Sequence, residues 1–340
     1  MTRPMPVLVT AVGGDLGQAV IKALRLGRLP WALHGCDLAA DGYGAAFAAS
    51  YEAVPAANAP DYAERLLAIC RRKGIEAVVP ASEEEIAALG PRVGGIPVIS
   101  QPAAWRSVFG DKLLSMQALQ GYVPLAPFAD GADANAVEAL IREAGFPLVV
   151  KARRSSGSRA VHIAADAAAL QAALAQVEAP IVQAHLEEGD GEFSVGVFRT
   201  RTFETAIVFR RQLRHGVSWE AACVEAPEVR AYALAIARAA AAHGSLNVQL
   251  RLTADGPRLI EINPRFSSLV AARAACGFHD AEWALTDALG RETALPQEPY
   301  RPLRFRRFFH EVIDQGEGYG MIPAWEPRPL PAAALMTGAP

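Results

Sequence analysis

Hydrophobic and polar positions in the first hundred residues follow a strand–helix rhythm. Residues 7–12 (VLVTAV) form a continuous apolar run, which is typical of a strand buried in a parallel sheet. A tight turn at residues 13–17 (GGDLG) leads into a helical stretch that reaches about Leu26. Further apolar runs, each interpreted as a strand, lie at residues 31–36, 75–79 and 96–99. Strands that alternate with helices favour a small Rossmann-like α/β domain over residues 1–100.

The remainder of the chain mixes both kinds of element, so an α+β arrangement is expected there. A helix is predicted to open at Asp111-Lys112. Another is predicted over residues 227–243, with proline at its start and Gly244 just past its end. A single long helix is predicted over residues 269–289. The proline- and arginine-rich residues 296–340 show no pattern that assigns them to an element.

Two neighbouring segments, 247–252 and 259–263, alternate apolar with polar residues, as the half-buried strands of a hairpin do. Glu261 and Asn263 share the polar face of the second strand. A three-residue loop at 254–256, with Gly256 in a positive-φ conformation, places Gln249 on that face too, whereas a four-residue loop does not. One carboxylate and nearby amide oxygens suit Mg²⁺. The alternative is a strand whose polar face simply meets water.

The run Glu261-Ile-Asn263-Pro-Arg265-Phe-Ser, preceded by Asn247-Val-Gln249, resembles the metal-binding segment of the ATP-grasp superfamily. The closest group is similar to the carbamoyl-phosphate synthase large chain, and the resemblance runs from about residue 5 to about residue 290. It implies that Gln249, Glu261 and Asn263 hold one or two Mg²⁺ ions, with Mn²⁺ as a possible substitute. It implies that Arg265 binds the transferred phosphate and is catalytic.

The same resemblance implies a two-lobed ATP-grasp fold after the Rossmann-like domain. Its boundaries are expected at residues 101–125 for a connecting helix region, 126–182 for the lid, 183–295 for the core with the metal site, and 296–340 for a C-terminal extension.

ATP contacts are also implied by the resemblance. Lys112 and Lys151 match the two basic positions that contact phosphates, and Lys151 is expected to be catalytic. A lysine that reaches solvent is the alternative for Lys151. Glu192 matches the acid that binds the ribose hydroxyls. The phosphate cover and the adenine hinge correspond to Ser155, Ser156, Gly157 and Ser158, and to Gln183, Ala184, His185 and Leu186. Many relatives carry glutamate where Ala184 stands, so one contact to the adenine amine is missing unless Gln183 replaces it.

The acceptor substrate has weaker candidates. Glu84 follows the third predicted strand, where open parallel sheets carry ligand sites, although an acid-rich helix N-terminus is the simpler explanation. Arg210 and Arg214 either bind a substrate carboxylate or form a solvated edge. Ser267 lies just beyond the metal segment and is a further substrate candidate.

The resemblance predicts an ATP-dependent ligase that joins a carboxylate to an amine or related nucleophile through an acylphosphate, releasing ADP and phosphate. One alternative is an ATP-binding phosphotransferase or a non-catalytic ATP-grasp module. Another is an NAD-dependent oxidoreductase, since Gly14-x-x-Gly17 is part of a dinucleotide fingerprint and Asp37 stands where a ribose-binding acid would. That fingerprint is incomplete, because Val12 takes the place of its first glycine.

Composition narrows the classes of partner. The 340 residues carry a formal net charge of −3, which gives no electrostatic case for nucleic acid. Four widely spaced cysteines suggest neither a zinc site nor a disulfide framework. No apolar run is long enough to span a membrane. A cytoplasmic location is therefore expected. The resemblance implies small-molecule carboxylate and amine substrates, and a homodimer stays open.

Overall fold

The computed structural model describes residues 3–40, 42–154, 161–187, 189, 191–293, 296, 298–308, 312–314 and 319–321. Its contacts divide the chain into two units, residues 1–307 and residues 308–340. In the second unit, strands Val312–Asp314 and Tyr319–Met321 form an antiparallel hairpin. All the elements that follow belong to the first unit.

The first sheet contains four parallel strands, in the order β3-β2-β1-β4. They are β1 (Met5–Val9), β2 (Trp31–Asp37), β3 (Ser50–Ala53) and β4 (Ala77–Val79). Helices α1 (Asp15–Arg25), α2 (Tyr62–Lys73) and α3 (Glu83–Ala88) connect or follow them, and a 3-10 turn spans Tyr43–Phe47. The strand predicted at residues 96–99 does not form over its full length. Only β6 (Ile96–Pro97) forms, in a short hairpin with β5 (Arg92–Val93), and Val98 makes a single parallel bridge to Val78.

Two helices, α4 (Ala103–Phe109) and α5 (Lys112–Leu119), lead to a second sheet with the strand order β7-β10-β8-β9. Its strands are β7 (Phe128–Asp130), β8 (Leu148–Ala152), β9 (Val161–Ala164) and β10 (Pro180–Ala184). Helices α6 (Ala134–Ala144) and α7 (Ala167–Gln176) bury their apolar residues with those of this sheet in a separate small core.

The third sheet is antiparallel and has six strands in the order β15-β14-β11-β12-β13-β16. They are β11 (Glu192–Arg199), β12 (Glu204–Arg214), β13 (Val217–Cys223), β14 (Gly244–Thr253), β15 (Gly256–Asn263) and β16 (Arg304–Arg306). Val195 and Val248 pack with α8 (Pro227–Ala239) in one core. Phe198 and Phe209 belong to another core, which contains apolar residues of the first sheet and of α9 (Val270–Ala275) and α10 (Asp280–Ala288).

These elements confirm the mixed α/β class but correct two helices. The single helix predicted over 269–289 is wrong, because α9 ends at Ala275 and Gly277, with φ at +98°, redirects the chain before α10 begins. The helix predicted over 227–243 ends earlier, at Ala239. Among the residues that the model describes, no helix is both long and apolar enough to cross a bilayer.

Candidate active site

A cavity of about 520 Å³ is lined by strand residues of the second and third sheets, and by residues of α1, of α3 and of the segment that follows β4. It brings together most of the positions singled out from the sequence. The predicted residues that line it are Glu84, Lys112, Lys151, Gln183, Ala184, His185, Leu186, Glu192, Gln249, Glu261, Asn263, Arg265 and Ser267. Residues far apart in the sequence therefore form one site.

The hairpin of β14 and β15 brings Gln249 and Glu261 together through a β-bulge and not through the predicted loop. Thr253 pairs with Gly256, so the loop contains two residues, and the predicted three-residue loop is wrong. A regular hairpin with this turn would set Gln249 opposite Ile260. The pairing instead shifts by one residue beside Leu250, leaving Ile260 as a bulge and Glu261 opposite Gln249. The prediction that these two side chains share a face is therefore confirmed.

Cross-strand pairing arranges the polar side chains in rows on the cavity face of the third sheet. Glu192 on β11 lies between Arg211 on β12 and Arg251 on β14. In the next row, Gln249 lies between Ser194 and Glu261. Because directly opposed residues share a face, strand pairing alone fixes which groups converge here.

The two lysines are positioned by one buried acid. Asp111, only 2% exposed, caps α5 by accepting from the backbone N–H of Leu113 at 3.0 Å. It also accepts from Arg153 Nη2 at 2.9 Å, and Arg153 follows β8, which carries Lys151. Burial alone would raise the pKa of the Asp111 carboxyl, but hydrogen bonds from Arg153 and Leu114 together with nearby positive charge hold it below its usual value.

Lys151 is buried at the cavity wall and donates from Nζ to the carbonyl oxygen of Ile260, at 3.1 Å. Burial, reinforced by the positive charge of Lys112, lowers the pKa of Lys151 to about 8, against the opposing effect of Glu261 and Glu192. An anionic ligand beside this amine would favour its charged form.

Glu261 is the only carboxylate among the proposed metal ligands. Its Oε2 lies 3.5 Å from Lys112 Nζ, and its Oε1 accepts from Asn263 Nδ2 at 3.2 Å. The residues that the structure describes contain no cluster of three or more His, Cys, Asp or Glu side chains that could hold a metal. One carboxylate with two amide oxygens fits a hard cation such as Mg²⁺, which usually keeps waters and phosphate oxygens as its other ligands.

Arg265 follows β15 and forms an ion pair with Glu83 of α3, at 3.1 Å between Nη2 and Oε1. This contact joins the end of the β14–β15 hairpin to the start of α3, which follows the carboxyl edge of the first sheet. Ser82 and Glu85 form a capping box at the start of α3, so the acid-rich segment is a helix N-terminus, as the simpler interpretation predicted.

Behind the hairpin lies a buried polar cluster that the sequence pattern did not reveal. Arg273 is fully buried and donates to Asp280 and Ser267, both at 2.9 Å, and to the side-chain oxygen of Asn247. Asn247 pairs with Asn263 across the two strands. Burial lowers the pKa of Arg273 and raises that of Asp280. The cluster joins α9 and α10 to the β14–β15 hairpin at Asn247.

The sequence and the fold of this chain were compared with those of known proteins. Residues 176–310 match the family model described as "ATP-grasp in the biosynthetic pathway with Ter operon". The biotin carboxylase domain of Hydrogenobacter thermophilus 2-oxoglutarate carboxylase, solved with MgADP, ADP and bicarbonate, superposes with a TM-score of 0.70 at 18% identity, covering 89% of this chain and 73% of that one. The chain has an ATP-grasp fold.

Other solved ATP-grasp structures agree. N5-carboxyaminoimidazole synthetase from Staphylococcus aureus, complexed with ADP, gives a TM-score of 0.68 at 14% identity over 87% of this chain and 79% of that one. N5-carboxyaminoimidazole ribonucleotide synthetase from Thermus thermophilus gives a TM-score of 0.66 at 20% identity over 85% of this chain and 79% of that one. No curated protein matches the chain significantly in sequence.

Within the ATP-grasp fold, the hinge segment is partly engaged by the protein itself. The N–H of Ala184 donates to Pro127 and that of His185 to Pro147, at 2.9 and 3.2 Å. The Gln183 side chain is buried and its amide lies 3.8 Å from the sulfur of Met116. The Gln183 amide nitrogen thus contacts α5, while Gln183 also lines the cavity; its replacement of a glutamate at the Ala184 position stays a prediction.

Two predicted substrate residues lie elsewhere. Arg210 and Arg214 do not line the cavity; Arg210 is exposed, and Arg214 stacks on Trp219. Their neighbour Arg211 points into the cavity instead, because adjacent residues of a strand face opposite sides. The register shift after Gln212 leaves Trp219 of β13 as the extra residue, so β12 keeps its alternation and Leu213 lines the cavity as Arg211 does. The predicted phosphate cover, Ser155, Ser156, Gly157 and Ser158, lies outside the described residues.

Proposed function

We propose that this protein is an ATP-dependent ligase, which joins a carboxylate to an amine or related nucleophile through an acylphosphate intermediate. The observation that carries the proposal is the composition of the 520 Å³ cavity. Two buried lysines, a hairpin bearing oxygen donors and a terminal arginine converge there, and these are the groups that phosphoryl transfer requires.

The proposed division of labour follows from the geometry. Lys112 and Lys151 bind the nucleotide's phosphates, because both amines reach the cavity from buried positions. Glu192 binds the ribose hydroxyls. Gln249, Glu261 and Asn263 would hold Mg²⁺, which neutralises phosphate charge when it is bound. Arg265 would stabilise the acylphosphate and the tetrahedral species formed when the nucleophile attacks.

The acceptor side of the cavity belongs, in this proposal, to a Rossmann-like domain formed by residues 1–100. Asp15 and Glu84 come from this part of the chain, and Ser267 faces them from beyond β15. Residues 101–125, 126–182 and 183–295 would then serve as connector, lid and core. Glu84 is assigned to the amine because it places a carboxylate in the cavity beside the Glu83–Arg265 pair.

An NAD-dependent oxidoreductase receives less support. The Asp37 carboxylate, which would bind the ribose of that cofactor, accepts instead from the N–H of Gly13 at 2.7 Å and closes the turn after β1. The groups described above would also have no role in hydride transfer. A cytoplasmic location fits the four free cysteines.

ADP release tests the proposal. The purified protein would be incubated with Mg-ATP and pools of amino acids and small carboxylic acids, in parallel with Glu261→Ala. Release that needs a carboxylate and falls by about a thousandfold in the variant is expected. Product mass then identifies the nucleophile. Glu220→Ala is a suitable control, because Glu220 sits on the same sheet, pairs with Arg306 and does not line the cavity. ADP release without any new bond would indicate a phosphotransferase instead.

A further inference from the structure

Arg211 lies at the centre of the cavity's charged network, although nothing in the proposed reaction assigns it a task. Its side chain is only 8% exposed. Nε donates to Glu192 Oε1 at 3.0 Å, and Nη1 donates to Ser218 Oγ at 3.3 Å. Nη2 contacts Glu192 as well and donates to Gln249 Oε1 at 2.6 Å. One guanidinium therefore bridges the proposed ribose-binding acid and a proposed metal ligand.

The contact with Gln249 conflicts with metal binding. Mg²⁺ sits about 2.1 Å from its oxygen ligands. A cation held by Gln249 Oε1 would therefore lie close to the guanidinium that donates to the same atom. Repulsion between them is poorly screened, because Arg211 is shielded from solvent. The observed Arg211–Gln249 bond therefore disfavours a divalent cation on Gln249.

Glu261, like Gln249, is already in contact with donor groups of the protein. Its carboxylate is engaged by Lys112 at 3.5 Å and by the amide of Asn263 at 3.2 Å. The proposed ligand oxygens thus face donors of the protein. For a cation to bind, these donors need another acceptor, and the phosphate oxygens of a nucleotide are strong acceptors for guanidinium and ammonium groups.

We infer that Arg211 is a nucleotide-binding residue that keeps divalent cations off Gln249 until phosphate oxygens draw its guanidinium away. The inference rests on the proposed function, because it takes Gln249 as a metal ligand. Under this inference Arg211 sets the order of binding. The cation enters together with the nucleotide, and free cation binds only weakly on its own.

A purely structural role for Arg211 predicts something different. If the residue only braced Glu192 against β12, its removal would loosen the site and weaken the binding of cation and nucleotide alike. The inference predicts opposite changes, because the guanidinium competes with the cation and supports the nucleotide. The two roles are therefore separated by the direction of one measurement.

The test uses Mn²⁺, whose free concentration is read from its electron paramagnetic resonance signal, and ADP, whose binding is followed by calorimetry. Arg211→Met keeps most of the side-chain stem and removes the charge. It should bind Mn²⁺ about tenfold more tightly than wild type without nucleotide, and ADP about tenfold more weakly. Arg211→Lys keeps a positive charge and should retain weak Mn²⁺ binding.

Arg210→Met is the matched control. It makes the same chemical change one residue earlier on β12, at an exposed position outside the cavity. It should leave both affinities unchanged, while thermal unfolding checks that all variants are folded. If Arg211→Met bound Mn²⁺ no more tightly than wild type while wild type still bound ADP, the inference would be wrong and the proposed function would stand. If wild type bound ADP neither with nor without Mn²⁺, the inference and the proposed function would both be wrong.

Discussion

Asp111 and Arg153 form the ion pair that fixes the distance between the two lysines of the site. Arg153 donates to both carboxylate oxygens through Nε and Nη2, and its backbone carbonyl accepts from the N–H of Lys112 at 2.9 Å. The start of α5 and the end of β8 are thereby joined by side chain and backbone together. Since Lys112 begins α5 and Lys151 lies near the end of β8, both lysines depend on this pair for their position.

Replacing Asp111 by alanine should therefore impair stability and nucleotide binding together. Loss of a buried ion pair and a helix cap is expected to lower the free energy of unfolding by about 3 kcal/mol. ATP affinity should fall at least tenfold. Denaturant unfolding and calorimetry provide the two measurements.

Asp133→Ala is the control for Asp111. Asp133 caps α6 by accepting from the N–H groups of Asn135 and Ala136, at 3.0 and 3.1 Å, without lining the cavity. Its loss should cost about 1 kcal/mol and leave ATP affinity unchanged. Equal effects of the two substitutions on ATP affinity would show that the Asp111–Arg153 pair does not position the lysines.

Nucleotide binding should depend on pH through Lys151. Since the pKa of this amine is lowered to about 8, the free protein loses the charge as the pH rises through that value. Phosphate binding favours the charged form, so ATP should bind with proton uptake above about pH 8 and with falling affinity. Calorimetry in buffers of different ionisation enthalpy measures this uptake directly.

Lys151→Arg should remove that pH dependence, whatever its effect on affinity at neutral pH, because arginine stays protonated. If wild type took up no proton on binding ATP at about pH 8.5, Lys151 would not be the phosphate contact that titrates in this range.

The buried Arg273–Asp280 pair should be costly to break. Asp280→Asn leaves a buried guanidinium without its counter-charge, so the free energy of unfolding should fall by about 3 to 5 kcal/mol. The consequences should extend to the site, because Arg273 also bonds Asn247 and Ser267. Denaturant unfolding and Mn-ADP affinity would both be measured.

Asp287→Asn provides a comparison on the same helix. Asp287 is partly exposed and pairs with His243 at 2.7 Å, and its loss should cost less than about 1 kcal/mol. A stability loss for Asp280→Asn no larger than that of Asp287→Asn would contradict the importance given to the buried pair.

Gly196 should tolerate no side chain. A Cβ atom added there would lie 2.5 Å from Arg273 Nε, which cannot move because Arg273 is fully buried. Gly196→Ala is therefore expected to lower the free energy of unfolding by about 2 kcal/mol or more through overpacking. At Gly90 the nearest atom would be 3.7 Å away, so Gly90→Ala should be nearly neutral in thermal unfolding. A stable Gly196→Ala protein would show that β11 and α9 can separate.

Sequence pattern predicted most of the elements and singled out most of the candidate residues that line the cavity, but it did not show which side chains of a buried strand face that cavity. Alternation identified Glu261 and Asn263 because one side of β15 is polar. Residues 205–209 of β12 are buried throughout, so no alternation shows that Arg211 rather than Arg210 faces the cavity. The role of strand pairing could only be seen in the structure.

The buried cluster escaped prediction for a related reason. Arg273 lies in an alanine-rich helical stretch, where an arginine ordinarily faces solvent. Asp280, which lies beyond the break at Gly277, forms the ion pair that neutralises Arg273, and this contact is seen only in the folded chain. Gly277, just past the end of α9, is the helix-stop signal that the prediction of one long helix did not take into account.

The bulge at Ile260 also governs how this chain should be matched to its relatives. Between the paired residues Thr253 and Gly256 and the paired residues Gln249 and Glu261, one strand contributes one residue more than the other. A hairpin with the same turn and no bulge has one residue fewer between the turn and the residue opposite Gln249, so aligning it with this chain needs a one-residue gap at Ile260. A three-residue loop at 254–256 without a bulge would also set Glu261 opposite Gln249, so two different local structures of the same residues lead to the same pairing.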